Sequence, residues 1–188
     1  GYNETYSSNI LTFVNNINYT GMYRGSLTSL FIDDDKIDLL VSGTTTTSQS
    51  GDSSIVYTNN NFTLASFQTL NPQFYTSASY ADFDNDGDMD FVISGDDGTA
   101  HETRLYQYNG SQFINHQNFT GVRKGDFAWG DVDNDGNIDL FMTGENDSSD
   151  DKLLLYLNNG SHLNYHSNLS GISAGSIALW DYDNDGDL

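Results

Sequence analysis

The sequence predicts an all-β chain built as a β-propeller, or a segment of one, from four-stranded blades of about 50 residues each. Three observations predict it. A nine-residue Asp-rich stretch recurs as Asp82 to Asp90 and Asp131 to Asp139, and its first eight residues again as Asp181 to Leu188, with starts 49 and 50 residues apart. Self-similarity at such a period marks a repeat architecture. Each full period holds four short apolar or alternating runs, and Asn109-Gly110 and Asn159-Gly160 fall between the last two. Asn-Gly is the strongest short hairpin signal.

The chain divides as one propeller region over 1–188. Residues 1–14 resemble the outer strands of a preceding blade: Tyr6 aligns with Tyr57, Tyr106 and Tyr156. A degenerate repeat spans 15–68, full repeats span 69–117 and 118–167, and a truncated one spans 168–188. In each, a first strand mixes small and large residues, which suits the crowded axis: Ser77 to Ala81, Asp126 to Gly130, Ser176 to Trp180. The apolar runs Phe91-Val92-Ile93 and Leu140-Phe141-Met142 read as buried second strands. Leu105 to Tyr108 and Leu153 to Leu157 are third strands, Gln112 to Asn115 and His162 to Tyr165 fourth strands. About four repeats is the lower limit for a closed ring, so a segment of a larger propeller is expected.

The Asp-rich stretches read as calcium loops. Carboxylates at positions 1, 3 and 5 gather hard oxygens in one turn, position 7 offers its carbonyl and position 9 closes the cage. The expected ligands are Asp82, Asp84, Asp86, Asp88 and Asp90; Asp131, Asp133, Asp135, Asn137 and Asp139; and Asp181, Asp183, Asp185 and Asp187. Position 6 is Gly87, Gly136 or Gly186, as a turn needing positive φ requires. An EF-hand begins alike but needs Glu at position 12 and flanking helices. Position 12 here is Ile93 or Met142, within strand-like runs. In the first repeat Phe31 holds position 1 and the glycine is lost, so weak or no binding is expected beside Asp33, Asp34, Asp35 and Lys36.

Charge supports a local role for the acids. The formal net charge is -21, and 17 of the 27 Asp and Glu residues lie in the four loops. Three bound cations would bring the net to about -15. Six Lys and Arg form no stripe, which argues against a nucleic-acid partner. Without cysteine there is no disulfide framework or thiolate metal site. No apolar run approaches the ~20 residues of a membrane span. The sequence shows neither an initiating Met nor a signal peptide, and is expected to be a mature product or part of something longer.

The run Trp129-Gly-Asp-Val-Asp-Asn-Asp-Gly-Asn-Ile-Asp-Leu-Phe-Met-Thr-Gly144, with Leu155-Tyr-Leu-Asn-Asn-Gly160 downstream, resembles the FG-GAP/VCBS repeats of integrin α-subunit propellers and many secreted microbial proteins. The resemblance implies calcium loops between the first two strands of each blade, on one propeller face. A literal Phe-Gly followed by Gly-Ala-Pro is absent and Pro72 is the only proline, so the microbial branch fits better. No integrin ligand preference transfers.

Eight Asn-x-Ser/Thr sites occur, at Asn3, Asn18, Asn61, Asn109, Asn118, Asn146, Asn159 and Asn168. Asn109 and Asn159 recur in equivalent turns, and Asn18, Asn118 and Asn168 in equivalent linkers. Glycosylation would place sugar at regular intervals along the rim; Asn also suits such turns by its own chemistry. Trp129, Trp180 and Tyr80 are expected to pack between blades. His101, His116, His162 and His166 lack a repeated acidic or serine partner and read as surface residues.

No catalytic set is legible, since these Asp residues are spaced to share a metal. The expectation is a non-catalytic, extracellular or cell-surface scaffold or adhesion module with structural Ca²⁺. Its expected partners are a protein or glycan, or its own copies in a filament or layer. Accessory or carbohydrate-binding service to a larger secreted enzyme or lectin is the alternative.

Overall fold

The computed structural model describes residues 23–32, 36–44, 52–60 and 63–183. The outer strands expected in 1–14, and most of the degenerate loop after Ile32, lie outside them. The described residues form twelve strands and no helix. In order they are β1 (Tyr23–Leu30), β2 (Asp38–Thr44), β3 (Asp52–Asn60), β4 (Thr63–Leu70), β5 (Phe74–Ala81) and β6 (Asp90–Asp96). β7 (His101–Tyr108), β8 (Phe113–Phe119), β9 (Arg123–Gly130), β10 (Asp139–Glu145), β11 (Asp151–Asn158) and β12 (Leu163–Ser170) follow.

They make three antiparallel four-stranded meanders, β1–β4, β5–β8 and β9–β12. The first strands β1, β5 and β9 lie side by side, so the sheets fan out from that edge as propeller-like blades. Register follows the repeat. Leu39 faces Tyr57, Phe91 faces Tyr106 and Leu140 faces Tyr156 across their second and third strands.

The second strands carry unbroken apolar runs, Leu39 to Val41, Phe91 to Ile93 and Leu140 to Met142, and in β6 both faces are covered. Phe91 and Ile93 turn to the preceding sheet, where they meet Leu30, Leu40, Val56 and Leu70. Val92 turns the other way and joins Phe83, Leu105 and Val122 against Leu140, Met142 and Tyr156. Side-chain alternation along a strand requires this division. Fully burying a residue such as Phe91 is worth about 1.5–3 kcal/mol.

Each first strand opens with an irregularity. Register slips between Tyr23 and Ser26, between Phe74 and Ser77 and, opposite β9, between Thr143 and Glu145. Arg24, Tyr75 and Lys124 there take positive φ of 57°, 52° and 53°, as bulged strands do. Gly125 follows because a Cβ would strike the Thr143 carbonyl.

Two expectations need correction. The fourth first strand, Ser176 to Trp180, is not a strand in the structure, since no second strand among the described residues pairs with it. The segment is instead tethered to β9 by Ala174 N–H to the Lys124 carbonyl and Ile177 N–H to Asp126 Oδ2. Of the three aromatics, Trp129 packs against the second core, whereas Tyr80 is 37% and Trp180 71% exposed. Tyr80 pairs with Phe91 as Trp129 pairs with Leu140, so it shares the face turned to the preceding sheet but is incompletely covered there.

Candidate metal centre

Each Asp-rich loop leaves a first strand and enters a second, so the meander places 82–90 between β5 and β6 and 131–139 between β9 and β10. Carboxylate oxygens of Asp82, Asp84 and Asp86 lie within 4.8 Å of one another, as do those of Asp131, Asp133 and Asp139. Asp88, Asp90, Asp135 and Asn137 join neither group. Asp181 and Asp183 end the described residues, and Asp185 and Asp187 lie outside them.

Local hydrogen bonds build the turn. Asp82 accepts the N–H groups of Asp86 at 3.1 Å and Gly87 at 3.0 Å. Asp131 repeats this with Asp135 at 3.1 Å and Gly136 at 2.9 Å. Gly87 and Gly136 have φ of 94° and 90°, as position 6 demands, and Asn85 and Asn134 at position 4 take φ of 60° and 58°. Asn is among the few side chains that tolerate this region.

Position 9 has a duty beyond the loop. Asp90, fully buried, accepts Phe83 N–H at 3.2 Å on Oδ2 and Tyr108 N–H at 2.8 Å on Oδ1. Asp139 does the same for Val132 at 2.9 Å and Asn158 at 2.8 Å. Asp38 does so for Ile32 at 2.9 Å and Asn59 at 2.7 Å, although its loop has Phe31 at position 1 and no glycine. The position-9 carboxylate thus ties the loop exit to the end of the third strand in all three sheets.

The donor set fits a hard cation. It consists of carboxylates without imidazole or sulfur, the preference of Ca²⁺. Asp84 supplies the sharpest observation. Its Oδ2 accepts Gln107 Nε2–H at 2.6 Å, while Oδ1 is buried with no hydrogen-bond partner. A buried unpaired carboxylate oxygen is costly, and a cation shared with Asp82 and Asp86 would satisfy it. Burial, then the Asp86 charge, raises the Asp84 pKa. Burial pushes Asp90 up to about 7 against the opposing pull of its two backbone N–H groups, and raises Asp139 likewise.

Sequence reasoning missed two residues here. Gln107 sits on β7 and orients Asp84; nothing in a polar strand residue announces that. Asn158, 3% exposed, gives Nδ2–H bonds to the Phe83 carbonyl at 2.6 Å and the Ile138 carbonyl at 3.0 Å, joining neighbouring loops. Its place before Asn159-Gly160 disguised it as one more turn residue.

The histidines are more engaged than expected. His101 lies between Asp96, 3.5 Å away, and Asp147, 3.4 Å away. His116 contacts Gln107 Oε1 at 3.1 Å and the Ser161 carbonyl at 2.9 Å, bridging adjacent sheets. Both are partly buried, so the surface expectation fails for them. The sequons at Asn109 and Asn159 sit in equivalent turns, where each Oδ1 accepts from the following Ser and the residue after it. Asn3, Asn18 and Asn61 lie outside the described residues.

No curated protein matches the chain. The model of the FG-GAP-like repeat matches residues 82–142, which run from Asp82 through both carboxylate groups to Met142 on β10. Residues 82–142, with their paired Asp-rich loops and the strands between, therefore carry the pattern of the FG-GAP-like repeat.

Proposed function

We propose that the protein is a non-catalytic, extracellular or cell-surface β-propeller module, stabilised by Ca²⁺ and serving as a scaffold or adhesion element. The unpartnered Asp84 Oδ1 beside Asp82 and Asp86 carries this reading. In it, Asp82, Asp84 and Asp86 hold one ion and Asp131, Asp133 and Asp139 another. The ion neutralises like charges that otherwise spread the turn, and so fixes where the second strand leaves the first. Millimolar extracellular calcium fills even modest sites with Kd of about 10⁻⁴–10⁻³ M. Equilibrium dialysis at millimolar calcium tests the claim. Two or more bound ions per chain are expected, and none would overturn it. Protein or glycan partners, or copies of itself in a filament or layer, follow as the partners of such a module. Sugar at Asn109, Asn118, Asn159 and Asn168 in native material would support the secreted route, and bare Asn at all four would defeat the idea of a glycan coat.

A carbohydrate-binding role is the second reading, favoured by a polar groove of about 360 Å³ between β4, β7 and β8. Asn71, Arg104, Asn115 and Asn118 line it, offering the paired donors and acceptors that recognise hydroxyl-rich ligands. Saturation-transfer NMR with neutral oligosaccharides tests it; absence of transfer with every sugar would remove it.

A further inference from the structure

The loops 82–90 and 131–139 meet directly at the Asn85 and Asn137 side chains, beside the bridge that Asn158 makes between Phe83 and Ile138. Asn85, exposed at position 4 of the first loop, donates its Nδ2–H to Asn137 Oδ1 at 3.2 Å. Asn137 in turn donates Nδ2–H to Asp135 Oδ1 at 3.0 Å, and its backbone N–H reaches the same oxygen at 2.8 Å. Asp135 Oδ1 is thereby engaged twice, and the Asp135 backbone N–H is itself held by Asp131 Oδ1 at 3.1 Å, so the path reaches the carboxylate group of the second loop. Gly160, in the β11–β12 turn, backs Asn137 so closely that a Cβ would stand 3.3 Å from Oδ1.

Position 7 is Asp88 and Asp187 in the other loops and Asn only at 137. An amide accepts and donates at once; a carboxylate only accepts. An Asp side chain at 137 would take the bond from Asn85 but give none to Asp135, leaving only the backbone N–H there, and would set two carboxylates against each other. Asn is therefore the residue that passes a hydrogen bond from one loop into the other.

We propose that the two loops bind their cations as a coupled pair, joined by Asn85, Asn137 and Asp135, so that filling one strengthens the other. The inference rests on the calcium reading above. A cation in loop 82–90 fixes the turn that carries Asn85, which holds the Asn137 amide and through it Asp135. The ordering that loop 131–139 must undergo is then partly complete before its own ion arrives, and this is positive coupling. By linkage the effect is reciprocal. Charge acts in the opposite sense, because the first cation weakens the negative field that attracts the second. That field is screened at physiological salt, whereas the hydrogen-bonded path is not.

The test is a calcium titration in 0.15 M salt, followed at the Gly87 and Gly136 amide resonances, which report the two loops separately. Asp82→Ala disables the first loop. It should weaken calcium binding at Gly136 by about three- to tenfold, the scale of one hydrogen bond. Asn85→Gly keeps the left-handed backbone while removing the amide, and in that background Asp82→Ala should no longer change the Gly136 affinity. Asn137→Asp should likewise abolish the dependence. An unchanged or tighter Gly136 affinity in Asp82→Ala, with Gly136 still titrating, would overturn the coupling alone. Failure of both glycines to respond in the unmodified protein would overturn the calcium reading itself. A folding defect in one variant is recognised by lost strand circular dichroism, and Asn137→Ala then replaces it with the same expected outcome.

Discussion

Asp90 and Tyr108 are joined by a 2.8 Å hydrogen bond from the Tyr108 N–H to Oδ1, although one opens the second strand and the other closes the third. Asp38 with Asn59 and Asp139 with Asn158 repeat the relationship. In the first sheet it persists where the cation loop has degenerated, so its purpose is not metal binding alone. Removing such a carboxylate orphans two buried N–H groups, each worth about 1–3 kcal/mol. Asp90→Ala and Asp38→Ala should each cost about 2–4 kcal/mol, measured by urea unfolding, and should do so with EDTA present. Full protection of Asp38→Ala from this loss would show that the clamp is dispensable.

Chelation should act on the loops instead. Binding to the folded state alone adds about 2.7 kcal/mol per site at a hundredfold excess over Kd, or about 5–10 °C in Tm for a domain of this size. EDTA should therefore lower the melting temperature, and calcium should restore it. Within one loop, Asp86→Ala should reduce the calcium-induced rise more than Asp88→Ala. Asp86 belongs to the carboxylate group, whereas position 7 is expected to offer its backbone carbonyl. Equal losses would mean that the ligand set is drawn wrongly.

Repeat period and strand character were legible because they rest on local chemistry. Phe91 to Ile93 read as a buried strand from its unbroken apolar run, and the left-handed glycines at 87 and 136 from the turn they must make. Long-range partners were not legible. Gln107 reaches Asp84 across the sheet, and Asn158 reaches Phe83 from 75 residues away, and neither contact leaves a mark in its own neighbourhood. Ser176 to Trp180 shows the converse. Its pattern matches β5 and β9, yet a strand exists only where another pairs with it. Tyr80 misled for a related reason: it holds the register position of Trp129, but how fully it is covered depends on what the neighbouring sheet sets against it.

The sheets are stapled at their outer strands by a repeated amide. Gln68 donates Nε2–H to the Phe113 carbonyl and accepts Phe113 N–H, both at 2.8 Å. Gln117 does the same with Leu163, at 2.7 and 3.1 Å. Gln117→Leu breaks both bonds and leaves the Leu163 N–H and carbonyl without them, at a cost of about 1–3 kcal/mol. Calcium affinity should stay unchanged, since the staple lies on the fourth strands, away from both loops. Hydrogen exchange should speed up at Leu163 first. A uniform increase across all three sheets would show that the staple is not a local device.

Without a cation, stability should fall as pH rises. The Asp90 carboxyl has an ordinary value of 3.8 and is pushed up to about 7 in the fold, first by burial and then by the charges of Asp84 and Asp86. Between those values the folded chain holds a proton that the unfolded chain has released. The stabilisation is therefore complete below the ordinary carboxylate range and is lost as pH rises through about 7. Asp84 and Asp139 are raised as well and act in the same direction. Calcium requires the ionised carboxylates, so excess calcium should reverse the slope. Urea midpoints from about pH 5 to about pH 8 should decline in EDTA and rise in calcium. A midpoint that climbs with pH in EDTA would show that the backbone N–H groups holding Asp90, rather than its burial, govern its charge.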